Sequence, residues 1–374
     1  MDHSWTELDL DALGRNLDGV LAAMRAPTEM ILVVKSDAYG HGMLPVARAA
    51  AGRGVRRLAS VHVEEAVRLR AALPEADILM MGVLSPEEVP IALERRIVPV
   101  IVDEEHGEAL AAAAGRRRLV CHAKIDTGMS RLGIPWRDAA AVLARLSRRA
   151  NLSFAGLCSH FASADEPDRQ CDVRAQAERF QAVVEACRRE GIEVPFRHIS
   201  NSGGIQNVPA CDFDAVRCGI LAYGYPPAGA RVATSPCLQW KTRIVQVKRV
   251  AAGAEVGYGA TYRAPADTLL ATLDVGYADG YCRRIGNRGV VLVGGRRVPV
   301  AGRVSMNLVT ADLGPGGTAR AGDEAVLLGR QGGVEVWAGE MASWCDTIPY
   351  EVLTSIRPTA RYTISGGQRS PTRS

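Results

Sequence analysis

The sequence predicts an α/β fold in which an N-terminal (β/α)8 barrel is followed by a mostly-β C-terminal domain. Over roughly the first 230 residues, apolar runs of strand length alternate with helical patterns, and eight such runs match the strand number of a closed parallel barrel. Beyond Tyr223 the alternation stops, and short β-like runs are separated by glycine and proline. We therefore expect a barrel domain over residues 1–235 and a β-rich domain over residues 236–374. An open doubly wound sheet is the alternative, although no G-x-G-x-x-G follows the first strand.

The eight predicted barrel strands are short apolar runs, many of them rich in β-branched residues. They cover residues 30–34, 57–61, 78–81, 97–102, 119–125, 152–159, 196–200 and 215–217. The helical patterns between them include residues 64–72, 86–95, 104–114 and 136–149. A first helix carries Leu13, Leu17 and Val20 on one face, behind an N-cap at Asp9 or Asp11.

The clearest helical pattern has a single apolar face made of Val173, Ala177, Phe180, Val184 and Cys187. The predicted C-terminal strands cover residues 238–250, 268–275, 289–293, 297–300, 307–312, 324–328 and 334–337. From about residue 365 the chain reads Ser-Gly-Gly-Gln-Arg-Ser-Pro-Thr-Arg-Ser, and we expect this tail to be disordered.

The composition is that of a globular protein, and it excludes several functional classes. The 374 residues include 47% hydrophobic and 23% charged residues, with a formal charge of +4. The arginines are scattered, so no nucleic-acid-binding surface is predicted. No apolar run approaches the roughly 20 residues of a membrane-spanning helix, and the N-terminus lacks the pattern of a secretory signal. The nine cysteines are dispersed without a C-x-x-C pair, which favours reduced cytoplasmic thiols over disulfides or a metal site.

The first barrel strand leads into a lysine, Lys35, whose position has two explanations. A lysine at the open end of a strand can extend its amine to water, and the strand alone favours this explanation. A desolvated lysine instead loses its proton more readily and can form a Schiff base with a carbonyl group. The Tyr39-Gly40-His41-Gly42 segment that follows favours chemistry, because two glycines let the backbone approach a ligand closely.

Polar side chains also stand at the ends of later barrel strands, namely Lys124, Asp126, His160, Ser202 and Arg217. Because active sites of (β/α)8 barrels lie at the carboxyl ends of the strands, we expect these groups to form one site. The late loops of such barrels commonly bind a phosphate group. Tyr39, Ser202 and the backbone amides of Gly219 and Ile220 are therefore candidate phosphate donors. An ordinary turn before a helix explains the Ser-Gly-Gly at residues 202–204 equally well.

Two motifs resemble those of bacterial alanine racemases, which depend on pyridoxal 5'-phosphate. Val-Val-Lys-Ser-Asp-Ala-Tyr-Gly-His-Gly at residues 33–42 is similar to the cofactor-lysine motif of that family. Val-Gly-Tyr-Gly-Ala-Thr-Tyr at residues 256–262 is similar to its tyrosine motif. Further similar segments extend over both domains, at residues 124–131, 276–280 and 303–306 and at Tyr350. The resemblance implies a barrel joined to a β domain and the interconversion of L- and D-alanine, the latter a cell-wall precursor.

The resemblance also implies roles for individual residues. Lys35 would carry the cofactor, and Arg217 would face its ring nitrogen. The remaining cofactor contacts would be Tyr39, His160, Ser202, Gly219, Ile220 and Tyr350. The substrate would contact Arg131, Tyr277 and Met306. Lys124 would be N-carboxylated, which removes the repulsion between two cations at Lys124 and Arg131.

Racemisation needs a base on each face of the substrate's Cα, and the resemblance implies Lys35 and Tyr258 for these roles. A free tyrosine titrates near ~10, so a basic Tyr258 needs neighbours that stabilise its phenolate, such as His160 and Arg217. In the family this tyrosine serves the barrel of the other subunit. The implied active unit is therefore a homodimer with shared sites.

Three other functions remain as alternatives. A racemase of another amino acid, such as serine, would use the same residues, and Asn307 stands where the family usually has aspartate. A non-catalytic pyridoxal-phosphate protein would resemble only the barrel half, so Tyr258 and the β domain argue against it. A barrel-type decarboxylase would pair the ring nitrogen with an acid, whereas this sequence has Arg217.

Overall fold

The computed structural model describes residues 2–229 and 231–372. Its internal contacts divide the chain into two compact units. The barrel unit contains Gly14–Ala38 and Met43–Ser235. The β unit contains the residues up to Leu13, the short segment Tyr39–Gly42 and the chain from Pro236 onward. Two N-terminal segments that we expected in the barrel domain thus belong to the β unit.

Eight parallel strands close into a barrel, which confirms the predicted fold class. In chain order they are Glu29–Val33, Arg57–Ser60, Asp77–Met80, Ile97–Ile101, Leu119–Asp126, Leu152–Cys158, Arg197–His198 and Ala215–Cys218. Each strand pairs with the next, and the last closes the ring by pairing with the first, where Arg217 lies opposite Ile31. All eight overlap the predicted apolar runs. A short additional strand, Ile134–Pro135, pairs with the fifth barrel strand.

Helices separate most of the barrel strands. They are Leu10–Ala23, Met43–Ala51, Val63–Ala72, Val89–Glu94, Glu104–Ala114, Ala139–Leu146, Gln170–Arg189 and Ser202–Asn207. Asp9, rather than Asp11, caps the first helix, because its carboxylate accepts the backbone N–H groups of Asp11 and Ala12 at 3.0 and 2.8 Å.

The face of the long helix Gln170–Arg189 differs from the predicted one. Ala177 and Val184 are only half-buried, whereas Gln176 and Val183 are buried. The reason is a polar contact that a search for apolar periodicity overlooks. Gln176 is buried because its amide bonds three groups of the barrel, among them the carbonyl of His160 at 3.0 Å.

The β unit is built around one long strand, Leu238–Val250. Its strands are Ser4–Asp9, Leu238–Val250, Glu255–Val256, Tyr262–Arg263, Thr268–Leu273, Val290–Val293, Arg296–Pro299, Val309–Gly314, Glu324–Gln331, Val334–Val336, Ala360–Ser365 and Gln368–Pro371. Two helices, Ala338–Cys345 and Pro349–Ser355, complete it. The N-terminal strand, which sequence reasoning missed, pairs with the long strand on one side and with Ala360–Ser365 on the other. Among the described residues, no helix has the length and apolar character needed to span a membrane.

The tail that we expected to be disordered from about residue 365 forms a β-hairpin in the structure. Ala360–Ser365 pairs with Gln368–Pro371 across a turn at Gly366 and Gly367, both of which have positive φ. Two consecutive glycines suit such a tight turn, and the N-terminal strand offers the hairpin a sheet edge. The polar composition of the tail suggested disorder, although the sequence contains the two glycines of the turn. Residues 373 and 374 of the predicted tail lie outside the described residues.

Candidate active site

The chain after the first barrel strand makes an unusual left-handed turn. Ser36, Asp37, Ala38 and Tyr39 all have φ between 53° and 55°, although none is a glycine. An L-residue pays about 1–2 kcal/mol in this conformation. Hydrogen bonds from neighbouring elements hold the turn: the N–H of Ser36 donates to the Glu65 carboxylate at 2.7 Å, and the Asp37 carboxylate accepts the N–H of Met43 at 2.8 Å. Strain of this kind is concentrated at functional sites.

Lys35, which begins this turn, lines a cavity of about 240 Å³ at the carboxyl ends of the barrel strands. The cavity brings together six residues that the sequence singled out: Lys35, Lys124, Asp126, Arg131, His160 and Arg217. The remaining lining residues are Val61, Met81, Gly82, Ile125, Met129, Leu132 and Ser159. Four of the lining side chains are cationic types, and one is a carboxylate. Such a cavity is suited to an anionic ligand.

The single lining carboxylate, that of Asp126, is engaged with the backbone. One of its oxygens accepts the N–H groups of Gly128, Met129 and Ser130 at 2.9 to 3.1 Å. These bonds shape the loop that leads to Arg131. The charge of Asp126 acts on Lys124, but four cationic side chains outnumber this one carboxylate in the lining of the cavity.

The electrostatics of the cavity lower the pKa of both its lysines. Burial lowers the pKa of Lys35, the charges of Arg131 and Arg217 lower it further, and Glu65 opposes them. Burial also lowers the pKa of Lys124 to about 8, with further lowering by Arg217 and Arg131. Both amines therefore lose a proton more readily than an exposed lysine does.

Arg217 is buried in the barrel and held by neutral acceptors. Its two terminal nitrogens donate to the carbonyls of Ser159, His198 and Ile199 at 2.6 to 3.1 Å. They also donate to Nδ1 of His198 at 2.6 Å and to Nδ1 of His160 at 3.0 Å. Among the described residues, no carboxylate pairs with Arg217, and no group of any kind accepts its Nε–H. That donor is thus left for a ligand in the cavity that Arg217 lines.

His198 and His122 extend this network behind Arg217, and sequence reasoning missed both. Since arginine can only donate, Nδ1 of His198 accepts and its proton resides on Nε2. That Nε2 lies 2.9 Å from Nδ1 of His122 and donates to it. Burial keeps the pKa of His198 well below its usual value and lowers that of His122 to about 3. The available signal was a histidine inside each of two predicted barrel strands.

The two ring nitrogens of His160 each face a hydrogen-bond donor. Nδ1 lies 3.0 Å from Arg217, which can only donate and so favours a proton on Nε2 of the neutral ring. Burial keeps the pKa of His160 well below its usual value, and the charge of Arg217 lowers it further. The amide nitrogen of Asn201 has two N–H groups: it donates to the carbonyl of Phe161 at 3.1 Å and also lies 3.3 Å from His160 Nε2. A bond from Asn201 to Nε2 requires the other neutral tautomer, so Arg217 and Asn201 favour opposite tautomers of His160.

Ser202, Gly219 and Ile220, the predicted phosphate contacts of the barrel, lie close together. The hydroxyl oxygen of Ser202 accepts the N–H of Gly219 at 3.1 Å and that of Leu221 at 3.3 Å. Ser202 and Ile220 are buried. The hydroxyl proton of Ser202 remains a donor, whereas the amide of Gly219 is already engaged in this structure.

The other predicted contacts belong to the β unit. Tyr39 and Tyr350 are neighbours whose ring centroids lie 6.0 Å apart. Tyr258, Tyr277 and Met306 are 69%, 43% and 56% exposed. Their loops are connected, because the N–H of Tyr277 donates to the carbonyl of Ser305 at 3.1 Å and a Cβ at Gly259 would lie 3.0 Å from Arg303. None of these five side chains is among the residues that line the barrel cavity.

Comparisons with known proteins agree with this architecture. Residues 8–227 match the family model of the alanine racemase N-terminal domain, and residues 237–364 match that of the C-terminal domain. The chain is 42% identical to the alanine racemase of Syntrophobacter fumaroxidans over 361 residues, covering 95% of this chain and 96% of the relative. The chain belongs to the alanine racemase family. As a member of this family it is an amino-acid racemase.

Solved structures of alanine racemases share the whole fold. The Bacillus anthracis enzyme with bound L-Ala-P is 32% identical with a TM-score of 0.93, covering 99% of this chain and 97% of that one. The Bartonella henselae enzyme with covalently bound pyridoxal phosphate is 25% identical with a TM-score of 0.86, covering 97% and 100%. Both domains of this racemase therefore have counterparts in structures of the family.

Proposed function

We propose that this racemase interconverts L-alanine and D-alanine, using pyridoxal 5'-phosphate attached to Lys35. The names of its relatives support alanine as the substrate. The observation that carries the assignment of the site is the barrel cavity, in which a lysine of lowered pKa and a buried arginine without a carboxylate partner line the same space. A racemase of serine is the second candidate, because Asn307 is exposed beside Met306 and stands where the family usually has aspartate.

The residues of the cavity fit this cofactor. The cofactor has an aldehyde, a ring nitrogen and a phosphate, and it acidifies the Cα proton of a bound amino acid by accepting electron density. Lys35 supplies an amine for the aldehyde. Arg217 supplies a free Nε–H for the ring nitrogen. Ser202, which is not among the residues that line the cavity, would supply a hydroxyl for the phosphate. An arginine in that position argues against the decarboxylase alternative, which would place an acid there.

Lys35 and Tyr258 are the proposed bases. The lowered pKa of Lys35 increases the share of neutral amine that can take or return a proton. Tyr258 is 69% exposed and lies between two glycines with positive φ, so most of its side chain is accessible to another molecule. His160 would stabilise a Tyr258 phenolate in the tautomer that carries its proton on Nε2.

A homodimer would supply the second base, and we propose that each site takes Tyr258 from the partner subunit. Exposure of Tyr258, Tyr277 and Met306 on connected loops supports this arrangement, since large apolar side chains of this kind are enriched at protein interfaces. Arg131 would bind the substrate carboxylate. The cytoplasm is the proposed location, because all nine cysteines are free thiols.

A chiral assay tests the function. Purified enzyme with added cofactor is incubated separately with L-alanine, L-serine and a panel of other L-amino acids, and the D-enantiomers are quantified. We expect D-alanine to form fastest, and faster formation of D-serine would select the second candidate. The Lys35→Ala variant is the control for contaminating host racemase. Failure of every amino acid to racemise above this control would overturn the proposal.

A further inference from the structure

The β unit contains a second cavity, of about 480 Å³, that the proposed reaction does not use. One wall is the segment that follows Tyr277, and the other is formed by the ends of the helices Ala338–Cys345 and Pro349–Ser355. Two cysteines line it from opposite walls, Cys282 and Cys345. They are far apart in the sequence but share this cavity.

Both cysteines line this one cavity, and polar groups around them hold the walls together. Arg284 crosses between the walls, because its Nη1 donates to the carbonyl of Cys345 and to the Asp346 carboxylate, both at 3.3 Å. Burial together with the Cys282 thiol raises the pKa of Cys345, and burial together with both cysteines raises the pKa of Tyr281. The Tyr281 hydroxyl is buried without a hydrogen-bond partner among the described residues.

The two cysteines differ in reactivity. Cys345 is buried, and burial together with the Cys282 thiol raises its pKa to about 12; Glu351 acts in the same direction and Arg284 opposes it. Cys282 is only half-buried and is followed by two exposed arginines, Arg283 and Arg284. Since the thiolate is the nucleophile and access is needed for attack, Cys282 is the thiol that reacts first.

We propose that Cys282 and Cys345 form a redox-responsive modification site that closes to an intramolecular disulfide in the presence of a small-molecule disulfide. Cys282 thiolate attacks one sulfur of that disulfide, forms a mixed disulfide and releases one thiolate. The Cys345 thiol then loses its proton and attacks the Cys282 sulfur, which releases the second thiolate. The two protein thiols lose two electrons, and the small disulfide is reduced to two thiols.

Closure ties the Tyr277 segment to the end of a helix. The cross-link connects residue 282 to residue 345, and the Tyr277 segment also bonds the Met306 loop, where the N–H of Ala278 donates to the carbonyl of Met306 at 2.9 Å. A covalent constraint between two elements reduces their independent opening. Oxidation therefore slows hydrogen exchange of the backbone amides in residues 276–286.

The test uses the full-length enzyme with its cofactor, oxidised glutathione as the probe and dithiothreitol as the reversing agent. Peptide mapping without reduction is expected to find one peptide pair joined through Cys282 and Cys345, lighter by two hydrogen atoms, with a loss of two titratable thiols. Dithiothreitol restores both thiols. Hydrogen exchange in residues 276–286 is measured on the same samples and is slower after oxidation.

Matched variants separate this pair from the other cysteines. Cys171 is exposed, so Cys171→Ser is the control that retains the joined peptide. Cys282→Ser and Cys345→Ser each abolish it. A stable glutathione adduct on Cys282, a bond between other cysteines or unchanged thiol content in the oxidised wild type would each overturn the proposed site. A joined peptide with unchanged exchange in residues 276–286 would overturn its effect on the loop.

Discussion

Arg217 is buried in the barrel without a carboxylate partner, and this determines which hydrogen bond it can offer to a ligand. Three carbonyl groups and two neutral imidazoles bind its terminal nitrogens, while its Nε–H remains for a ligand. An arginine keeps its proton, so it can donate a hydrogen bond to a ring nitrogen without protonating it. A cofactor ring held by Arg217 in this way would be a weaker electron acceptor, which would suit a reaction that needs only brief loss of the Cα proton.

Tyr258→Phe tests the second base at the residue scale. Loss of the phenol oxygen removes proton transfer on one face, so racemisation of L-alanine should fall by about 10²–10⁴-fold while cofactor content, measured by absorbance, stays unchanged. Tyr262→Phe is the matched control in the same loop, because the Tyr262 hydroxyl donates to Asp312 at 2.6 Å and has a structural role. Near-normal racemisation in both directions by Tyr258→Phe would contradict the two-base proposal.

The lowered pKa of Lys124 leads to a pH-dependent prediction. Only a neutral amine combines with carbon dioxide, and the pKa of Lys124 is lowered to about 8. The neutral fraction therefore rises with pH through that value, and carbamate should increase from about pH 7 to about pH 9. The measurement is the carbamate signal in ¹³C NMR under labelled carbon dioxide, with Lys124→Met as the control. A signal that is absent, or equal in the control, would exclude carboxylation of Lys124.

At the scale of elements, the left-handed turn after the first barrel strand gives the site its shape. Four consecutive residues adopt a backbone conformation that a Cβ disfavours, and Glu65 and Asp37 hold the turn by accepting backbone N–H groups. The rest of the barrel must therefore compensate for local strain. Gln176 contributes similarly from the long helix, since it bonds the carbonyl of His160 and so supports that strand end.

Ser36→Gly measures the strain. Ser36 is exposed with φ of 53°, where glycine is about 1 kcal/mol more favourable than other residues, so the variant should unfold at the same or a higher temperature. Ser147→Gly is the matched control, because Ser147 is exposed with φ of −65° and glycine there costs stability. Thermal unfolding of both variants is followed with the cofactor bound. Equal destabilisation by the two substitutions would show that the turn is unstrained.

At the scale of the whole molecule, the proposed bases belong to different compact units. Lys35 lies in the barrel unit, whereas Tyr258 lies in the β unit and is largely exposed. An isologous dimer would complete both sites at once, and twofold dimers are the commonest closed assembly. The large exposed fraction of Tyr258 is consistent with the proposal that it completes the site of a partner subunit.

Mixing two inactive variants tests the shared site. In a dimer of Lys35→Ala and Tyr258→Ala chains, one site would combine an intact Lys35 with an intact Tyr258, so each heterodimer should regain about half of the normal activity. Lys35→Ala mixed with Arg217→Met is the control, since both defects lie in the barrel and every shared site stays defective. Absence of recovery despite subunit exchange, demonstrated by mass spectrometry, would mean that Tyr258 serves its own barrel.

The sequence by itself determined the barrel and most of its strands. Apolar runs such as residues 97–102 and 119–125 predict buried parallel strands, because a strand covered on both faces is largely apolar. Polar residues that follow such runs elsewhere, such as Lys35 after residues 30–34 and His160 after residues 152–159, indicate the end of the barrel at which the carboxyl ends of its strands meet. The local apolar pattern and the known topology of such barrels were sufficient to predict the strands and the end of the barrel that carries the polar residues.

Only the tertiary structure decided which polar groups meet across large separations in the chain. Sequence reasoning missed His198, His122 and Gln176, which became important through their contacts in the fold. His198 bonds Arg217, His122 bonds His198, and Gln176 bonds the carbonyl of His160. The ordered hairpin at the C-terminus likewise depends on a sheet edge offered by the N-terminal strand. Hydrogen bonds of this kind depend on distance and direction in space, and neither is encoded in local periodicity.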